Sequence, residues 1–331
     1  MSQALCKARI IGTGAFLPEK ILNNADLEKL VDTNDEWISS RTGIKERRIA
    51  SAEEFTSTMG AAAAAKALEA AKVNASDVDL VIVATMTPDY PSSSTAAIIQ
   101  HHIGATHAAA FDIQAACTGF LYSLSIAKAF IESGIYHNIL VVCSEKMSTV
   151  VDYTDRNTCV LFGDGAAAVV ISHEGKGLTI DSICLGANGG LVDLLLIPAG
   201  GSRLPASAET VSEGKHYIKM QGRELFKQAV RLMTASAKEC LDKASLKETE
   251  IEWLVPHQAN ERIINAIAKE FDIPNEKVFK TLHKFGNTSA SSIPIALDEL
   301  IKNHAVESKH HILMLGFGAG LTSGAILLTQ M

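Results

Sequence analysis

Apolar positions along the chain fall into runs of two alternating kinds. Met59 to Lys72, MGAAAAAKALEAAK, is alanine-rich and predicts a helix. Asp79 to Ala84, DLVIVA, is a short unbroken apolar run, the pattern of a strand buried on both faces, and TMTPDYPSSS then reads as a loop. A helix over 94–103, a strand over Ala108 to Ile113, a helix over 118–133, a strand over Asn138 to Cys143 and the Gly-rich strand GDGAAAVVIS continue the series. Such alternation predicts an α/β chain with a mixed or parallel sheet covered by helices.

The order repeats. A predicted helix over Glu224 to Lys243 precedes the strand IEWLV, as the first helix precedes DLVIVA. Asp79 and Glu252 are 173 positions apart, as are His137 of HNILVV and His310 of HHILML. The same offset carries the segment around Cys117 onto SASSIP around Ala290, each leading into a helix. Three anchors at one offset imply two duplicated halves, with a first unit over 1–175 and a second over 176–331. The run Ile312 to Leu328 is apolar and close to the lower limit for a membrane span, but four glycines interrupt it, and strand, turn, strand is the better reading.

At 331 residues, 47% apolar and 20% charged, the chain has the composition of a globular enzyme. A net charge of −7 argues against general nucleic-acid binding. The first residues, MSQALCKARIIGTGAF, lack the apolar core of a secretory signal, so a cytoplasmic location without membrane attachment is expected. The six cysteines show no metal-ligand spacing, no metal site is expected, and five of them read as small buried hydrophobes.

The sixth is Cys117. FDIQAACTGFLYSLSIAKAF puts it where a strand ends and a helix begins, facing unpaired N–H groups and the positive end of the helix dipole, both of which favour a thiolate. On position alone it is as compatible with a buried thiol as with a nucleophile. His257 follows strand IEWLV in LVPHQANERII, with a helix expected to start there, and Asn287 lies in the turn KFGNTSASSIP. Each alone has a plain structural reading.

Together, DEWISSRTGI, AACTGF, VPHQAN, GNTSAS and GFGAGLTSG, in this order along a chain that matches from about residue 8 onward, closely resemble the beta-ketoacyl-acyl carrier protein synthase III family of the thiolase superfamily. The resemblance implies a five-layered αβαβα fold. It implies that Cys117 takes an acyl group from an acyl-CoA starter, that malonyl-acyl carrier protein loses carbon dioxide, and that the enolate attacks the acyl-Cys to give a 3-oxoacyl-acyl carrier protein, the first step of fatty acid synthesis. His257 and Asn287 then stabilise the enolate, and the backbone N–H groups of Cys117 and of the turn at Ala319 form an oxyanion hole. Trp37 and Arg156 are implied to sandwich the CoA adenine and Arg41 to meet its phosphates. Gly222, Phe226 and Asn260 are implied along the pantetheine tunnel, and Phe162 in the acyl pocket. Without the resemblance, Trp37, Arg41 and Arg156 read as a core Trp and two surface arginines. Arg262, Lys269 and Lys227 are implied to dock the acidic acyl carrier protein, with Glu270 standing where a second Lys is common. A homodimer is implied, and no cofactor beyond the CoA thioester substrate.

The chain departs from the family at Ser92, where an aromatic that reaches into the partner's acyl pocket is common, and at Ala319 and Ser323. Ser92 leads to the expectation of a starter longer or bulkier than acetyl. A starter-unit enzyme of secondary metabolism is the runner-up, favoured by Ser92 and Ser323. Hydroxymethylglutaryl-CoA synthases and thiolases share the fold but use a glutamate base or a second cysteine, against which GNTS speaks. A silent CoA- or carrier-binding module is disfavoured by the intact Cys, His and Asn.

Overall fold

The computed structural model describes residues 7–331. Nine strands form one sheet: β1 Arg9–Phe16, β2 Leu80–Ala84, β3 Ala109–Ile113, β4 Asn138–Glu145, β5 Gly165–Ser172, β6 Leu178–Ala187, β7 Ile251–Pro256, β8 His311–Gly318 and β9 Thr322–Gln330. Their order is β7-β8-β9-β6-β1-β5-β4-β2-β3, with β2–β3, β2–β4 and β7–β8 parallel and the other pairs antiparallel. The principal helices are α1 Asp35–Thr42, α2 Thr56–Ala71, α3 Thr95–His102, α4 Gly119–Glu132, α5 Gly222–Ala244, α6 Glu261–Glu270 and α7 Ser292–Asn303.

Burial explains the unbroken apolar strands. In β2, Leu80 and Ile82 join a core with α4 and α7, while Val81 and Val83 face α2 and α3. In β8, Ile312 and Met314 join that same central core, and Leu313 and Leu315 face α5 and α6. Helices α4 and α7 each pack on strands of both half-sheets, so the layers run α2/α3, sheet, α4/α7, sheet, α5/α6. This is the expected five-layered αβαβα arrangement. The close seat of α2 needs glycine in β1: a Cβ on Gly12 or Gly14 would lie 2.5 Å from a backbone nitrogen of α2.

The duplication is visible element by element. Helices α2 and α5 end at Ala71 and Ala244, α4 and α7 begin at Gly119 and Ser292, and β4 and β8 begin at Asn138 and His311, each pair 173 residues apart. The expected division at 175/176 falls in the turn between β5 and β6. The second half lacks a full counterpart of β3 and keeps only a bridge from Leu254 to Val278. The segment Ile312 to Leu328 is the β8–β9 hairpin, and among the described residues no helix is long and apolar enough to cross a membrane.

Candidate active site

Past the end of β3 the chain turns through Ala116, at φ +46°, into a 3-10 turn over Ala116–Thr118 and then α4. Its counterpart 173 residues on is Ser289, at φ +51°, leading through a turn over Ser289–Ser291 into α7. Non-glycine residues in this region cost on the order of 1–3 kcal/mol each, a strain characteristic of functional turns. The two turns pack against each other and bring Cys117 Sγ to 3.7 Å from Ser289 Oγ.

Burial, reinforced by the charge of Glu145, pushes the Cys117 thiol up to about 12, although the Ser289 hydrogen bond acts the other way. The resting residue is therefore a thiol. The sequence-based expectation of a ready thiolate counted the helix N-terminus and omitted desolvation, which is the larger effect here.

His257 follows directly on β7, and its amide donates to Leu315 O at 2.8 Å. The helix expected at His257 starts later, at Glu261, because Asn260 caps it, its Oδ1 accepting from the Arg262 amide at 2.9 Å. His257 Nδ1 lies 2.6 Å from Ser292 Oγ, which also accepts from the Gln258 amide at 3.3 Å. The Ser292 hydroxyl has no other acceptor among the described residues, so it donates to Nδ1 and leaves the imidazole proton on Nε2. Burial holds the imidazole down at about 3, so it is neutral. The Phe317 ring meets it edge-on, with centroids 5.7 Å apart.

Asn287 is fixed by its backbone to Leu161 O at 2.8 Å, and its own carbonyl accepts from the Gly163 amide at 3.1 Å. Its Oδ1 accepts from the Ser289 amide at 2.9 Å, which leaves the Nδ2 donors free. Cys117, His257, Asn287 and Phe317 line one cavity of about 740 Å³. The acceptor ends of both polar side chains are tied to protein, and their N–H ends are left for a ligand.

Outward, the cavity is lined by Trp37, Arg41, Phe162, Gly222, Phe226, Lys227, Asn260 and Arg262. Asn260 Nδ2 also donates to Arg41 O at 3.0 Å. With Arg223, four basic side chains ring the mouth. Arg156 does not line the cavity. Its guanidinium sits 5.1 Å from the Trp37 ring centroid and donates to Asp32 O at 2.8 Å, closing the gap that an adenine between them would need. Arg41 packs 4.8 Å from the same ring. Lys269 and Glu270 are exposed at the end of α6.

A second cavity of about 310 Å³ opens beside Cys117, lined by Met86, Met147, Phe162, Leu196, Ile197, Ile218 and Ala319 among others. The Ala319 amide donates no hydrogen bond among the described residues. Ser92 is exposed and lines neither cavity of its own chain, and Ser323 is buried on β9 against Ser236 at 3.1 Å, also away from both. Neither serine lines a cavity of its own chain, and the starter expectation drawn from Ser92 concerns a partner's pocket. Cys143, Cys159, Cys184 and Cys240 are free and buried, and Cys6 lies outside the described residues. No cluster of three or more metal-ligating side chains occurs among the described residues.

Sequence reasoning missed Ser289, Ser292, Phe317 and Glu145. The duplication held the signal for the two serines, since it sets the turn after Asn287 opposite the cysteine turn.

Comparison with known proteins agrees with this geometry. Residues 111–189 match the model for 3-oxoacyl-[acyl-carrier-protein] synthase III, and residues 241–330 match the model for its C-terminal part. The chain is 57% identical to the beta-ketoacyl-[acyl-carrier-protein] synthase III of Chlamydia muridarum over 98% of this chain and 100% of that protein. It is 51% identical to the enzyme of the same name from Caldanaerobacter subterraneus, over 95% of each. Among solved structures it resembles 3-oxoacyl-[acyl-carrier-protein] synthase III of Aquifex aeolicus, with 49% identity, a TM-score of 0.90, and 97% and 99% of the two chains covered. It also resembles, at 36% identity and a TM-score of 0.90, the priming beta-ketosynthase of the R1128 polyketide pathway, over 98% and 96% of the chains.

Proposed function

The chain belongs to the 3-oxoacyl-[acyl-carrier-protein] synthase III family, and from that premise we propose that it condenses an acyl-CoA starter with malonyl-acyl carrier protein, releasing carbon dioxide and a 3-oxoacyl-acyl carrier protein to begin fatty acid synthesis. One observation carries the chemistry: a thiol and two N–H donors, with their acceptor ends tied off, meet in one cavity. Identity of 57% to the Chlamydia muridarum synthase III, against 36% to the polyketide priming enzyme, favours primary metabolism over the alternative.

Cys117 Sγ attacks the starter thioester, coenzyme A leaves, and the acyl chain turns into the 310 Å³ cavity past Phe162. The amides of Cys117 and Ala319 receive the oxyanion of the acyl transfers. Malonyl-acyl carrier protein then enters through the larger cavity. As carbon dioxide leaves, charge develops on the malonyl thioester oxygen, where His257 Nε2–H and Asn287 Nδ2–H donate to it. Donors placed in advance in a dry site stabilise that charge without reorganisation, by about 3–4 kcal/mol each. A neutral imidazole serves this purpose because it donates without releasing its proton. All of these steps run on side chains and amides, with the coenzyme A thioester as substrate and no resident cofactor.

The basic mouth suits coenzyme A phosphates and an acidic carrier protein, with Arg41 nearest the former and Lys227, Arg262 and Lys269 on the face offered to the latter. Adenine binding between Trp37 and Arg156 requires Arg156 to swing off the indole. A homodimer is supported by the open edge of β3 and the exposed Phe55 and Tyr90, and a reducing, cytoplasmic setting by the free thiols.

Intact-mass measurement after incubation with acyl-CoA tests the reading. The wild type gains one acyl group and Cys117→Ala gains none. An acylated Cys117→Ala protein, or a wild type that stays unmodified with every starter, would overturn it.

A further inference from the structure

Arg47 stands in a short strand, Glu46–Arg48, paired with Ile21–Asn23, and is 0% exposed. Burial pulls its guanidinium down to about 10, which leaves it a cation at neutral pH. The titratable groups beside it are the Cys159 thiol and the Tyr153 phenol, neither of them a carboxylate. Its Nε has no hydrogen-bond partner among the described residues. A buried cation without a counter-charge costs stability, and an apolar side chain of similar size would avoid that cost.

The guanidinium forks between two buried acceptors. Nη1 donates to Asn24 Oδ1 at 2.6 Å, and Nη2 donates to Val160 O at 2.5 Å. Asn24 is itself fixed, its Nδ2 donating to Ile44 O at 2.9 Å and, at the start of α1, to Asp35 Oδ1 at 2.7 Å. Val160 leads into the segment that holds Asn287. There Leu161 O accepts from the Asn287 amide at 2.8 Å, and the Gly163 amide donates back to Asn287 O at 3.1 Å. The Arg47 stem fills the other side of the same turn. A Cβ on Gly286 would lie 3.1 Å from Arg47 Cγ, and one on Gly163 would lie 3.2 Å from Arg47 Cβ.

We infer that Arg47 is a positioning residue for decarboxylation, holding the backbone of Val160–Gly163 and Gly286 so that Asn287 presents Nδ2 to the enolate. This rests on Asn287 being the enolate donor of the proposed reaction. Arg47 lines neither cavity, so it acts through the turn alone. The Asn287 side chain has one tie of its own, from the Ser289 amide, which orients the carboxamide. Where that carboxamide stands is set by the backbone that Arg47 grips. A displacement of about 1 Å at a catalytic group costs about 10² in rate. A planar fork with two donors can span Asn24 and Val160, and a single ammonium is poorly matched to both.

A double-mutant cycle on the whole enzyme tests the inference. Acylation by acyl-CoA and carbon dioxide release from malonyl-acyl carrier protein are timed separately for Arg47→Met, Asn287→Ala and the double variant. Methionine keeps an unbranched apolar stem and drops both donors. Arg47→Met should release carbon dioxide at least about tenfold more slowly and acylate within about threefold of wild type. In the Asn287→Ala background no carboxamide is left to position, and the same change should cost less than about twofold. A merely structural Arg47 would slow both half-reactions alike or multiply its loss onto that of Asn287→Ala. Either result overturns the inference, as does wild-type release by Arg47→Met. Asn287→Ala releasing carbon dioxide at the wild-type rate overturns the donor assignment beneath it, and the inference with it. Should Arg47→Met fail to fold, Arg47→Lys, which keeps the buried cation without the fork, is read by the same cycle and the same outcomes.

Discussion

Changing Asn287 to Asp replaces one atom group and inverts its role. Oδ1 still accepts from the Ser289 amide, the bond that orients the side chain at 2.9 Å, so the backbone turn has no reason to move. The other oxygen then stands where Nδ2 offered its protons to the enolate. Loss of one such donor costs about 10²–10³ in rate, or about 3–4 kcal/mol, before any repulsion is counted. A carboxylate beside a developing oxyanion adds repulsion, so a fall of at least about 10³ is expected at pH 8.

The loss should affect one half-reaction more than the other. Decarboxylation, followed as carbon dioxide release from malonyl-acyl carrier protein, needs the donor. Acylation of Cys117 by acyl-CoA, followed by intact mass, uses the backbone amides and should stay within about tenfold of wild type. The pH dependence gives a second check. Position 287 is only 6% exposed, and burial raises a carboxyl pKa. As pH falls, the introduced acid becomes protonated and regains an O–H donor, so decarboxylation should recover on acidification while the wild type does not gain. Equal losses in both half-reactions, or a deficit independent of pH, would refute the assignment of Asn287 as an enolate donor.

Two further outcomes follow from cavity size and burial. At about 30 Å³ per methylene, the cavity of about 310 Å³ beside Cys117 accommodates starters well beyond acetyl, and each added CH₂ should improve acylation about fourfold, for about 0.8 kcal/mol, from acetyl-CoA to at least hexanoyl-CoA; acetyl-CoA outperforming every longer starter would show that the chain lies elsewhere. His257 sits at about 3 folded against an ordinary 6.5, so unfolding takes up a proton between those values. Its contribution is fully present above pH 6.5 and is lost as pH falls towards 3, at up to about 1.4 kcal/mol per pH unit. Urea titrations at pH 7, 6 and 5 should therefore give a steeper acid loss for wild type than for His257→Gln, and parallel slopes would contradict the burial argument.

The sequence made the layers legible because burial on both faces leaves an unbroken apolar run, as in Leu80 to Ala84 and Ile312 to Leu315. It also exposed the duplication and the Cys117 turn, since residue spacing survives in a linear string. Strand β1 gave no such signal: its Gly12 and Gly14 dilute the apolar pattern because α2 rests on them. What the string could not show arises between the halves. The Cys117 thiol is raised by burial under segments far along the chain, and Ser292 and Ser289 matter only because α7 and its turn face α4. The stack of Arg156 on Trp37 likewise joins a loop of one region to α1.

The two halves also explain why a duplicated chain holds one site. At the shared offset Cys117 corresponds to Ala290, His257 to Ala84 and Glu145 to Gly318. Each of these three has a small residue at the matching place in the other half, whereas Asn287 corresponds to Gln114. These small residues are required by the packing: a Cβ on Gly119 would already lie 2.8 Å from the Ala84 Cβ and 3.2 Å from the Ala290 Cβ. An imidazole at 84 has no room there, and neither has a thiol at 290. The same crowding holds Gly318, where a Cβ would lie 2.9 Å from the Cys117 amide nitrogen, the donor expected to meet the oxyanion. Close packing at the pseudo-symmetric position is thus what leaves the catalytic position open, and it limits acylation to one group per chain.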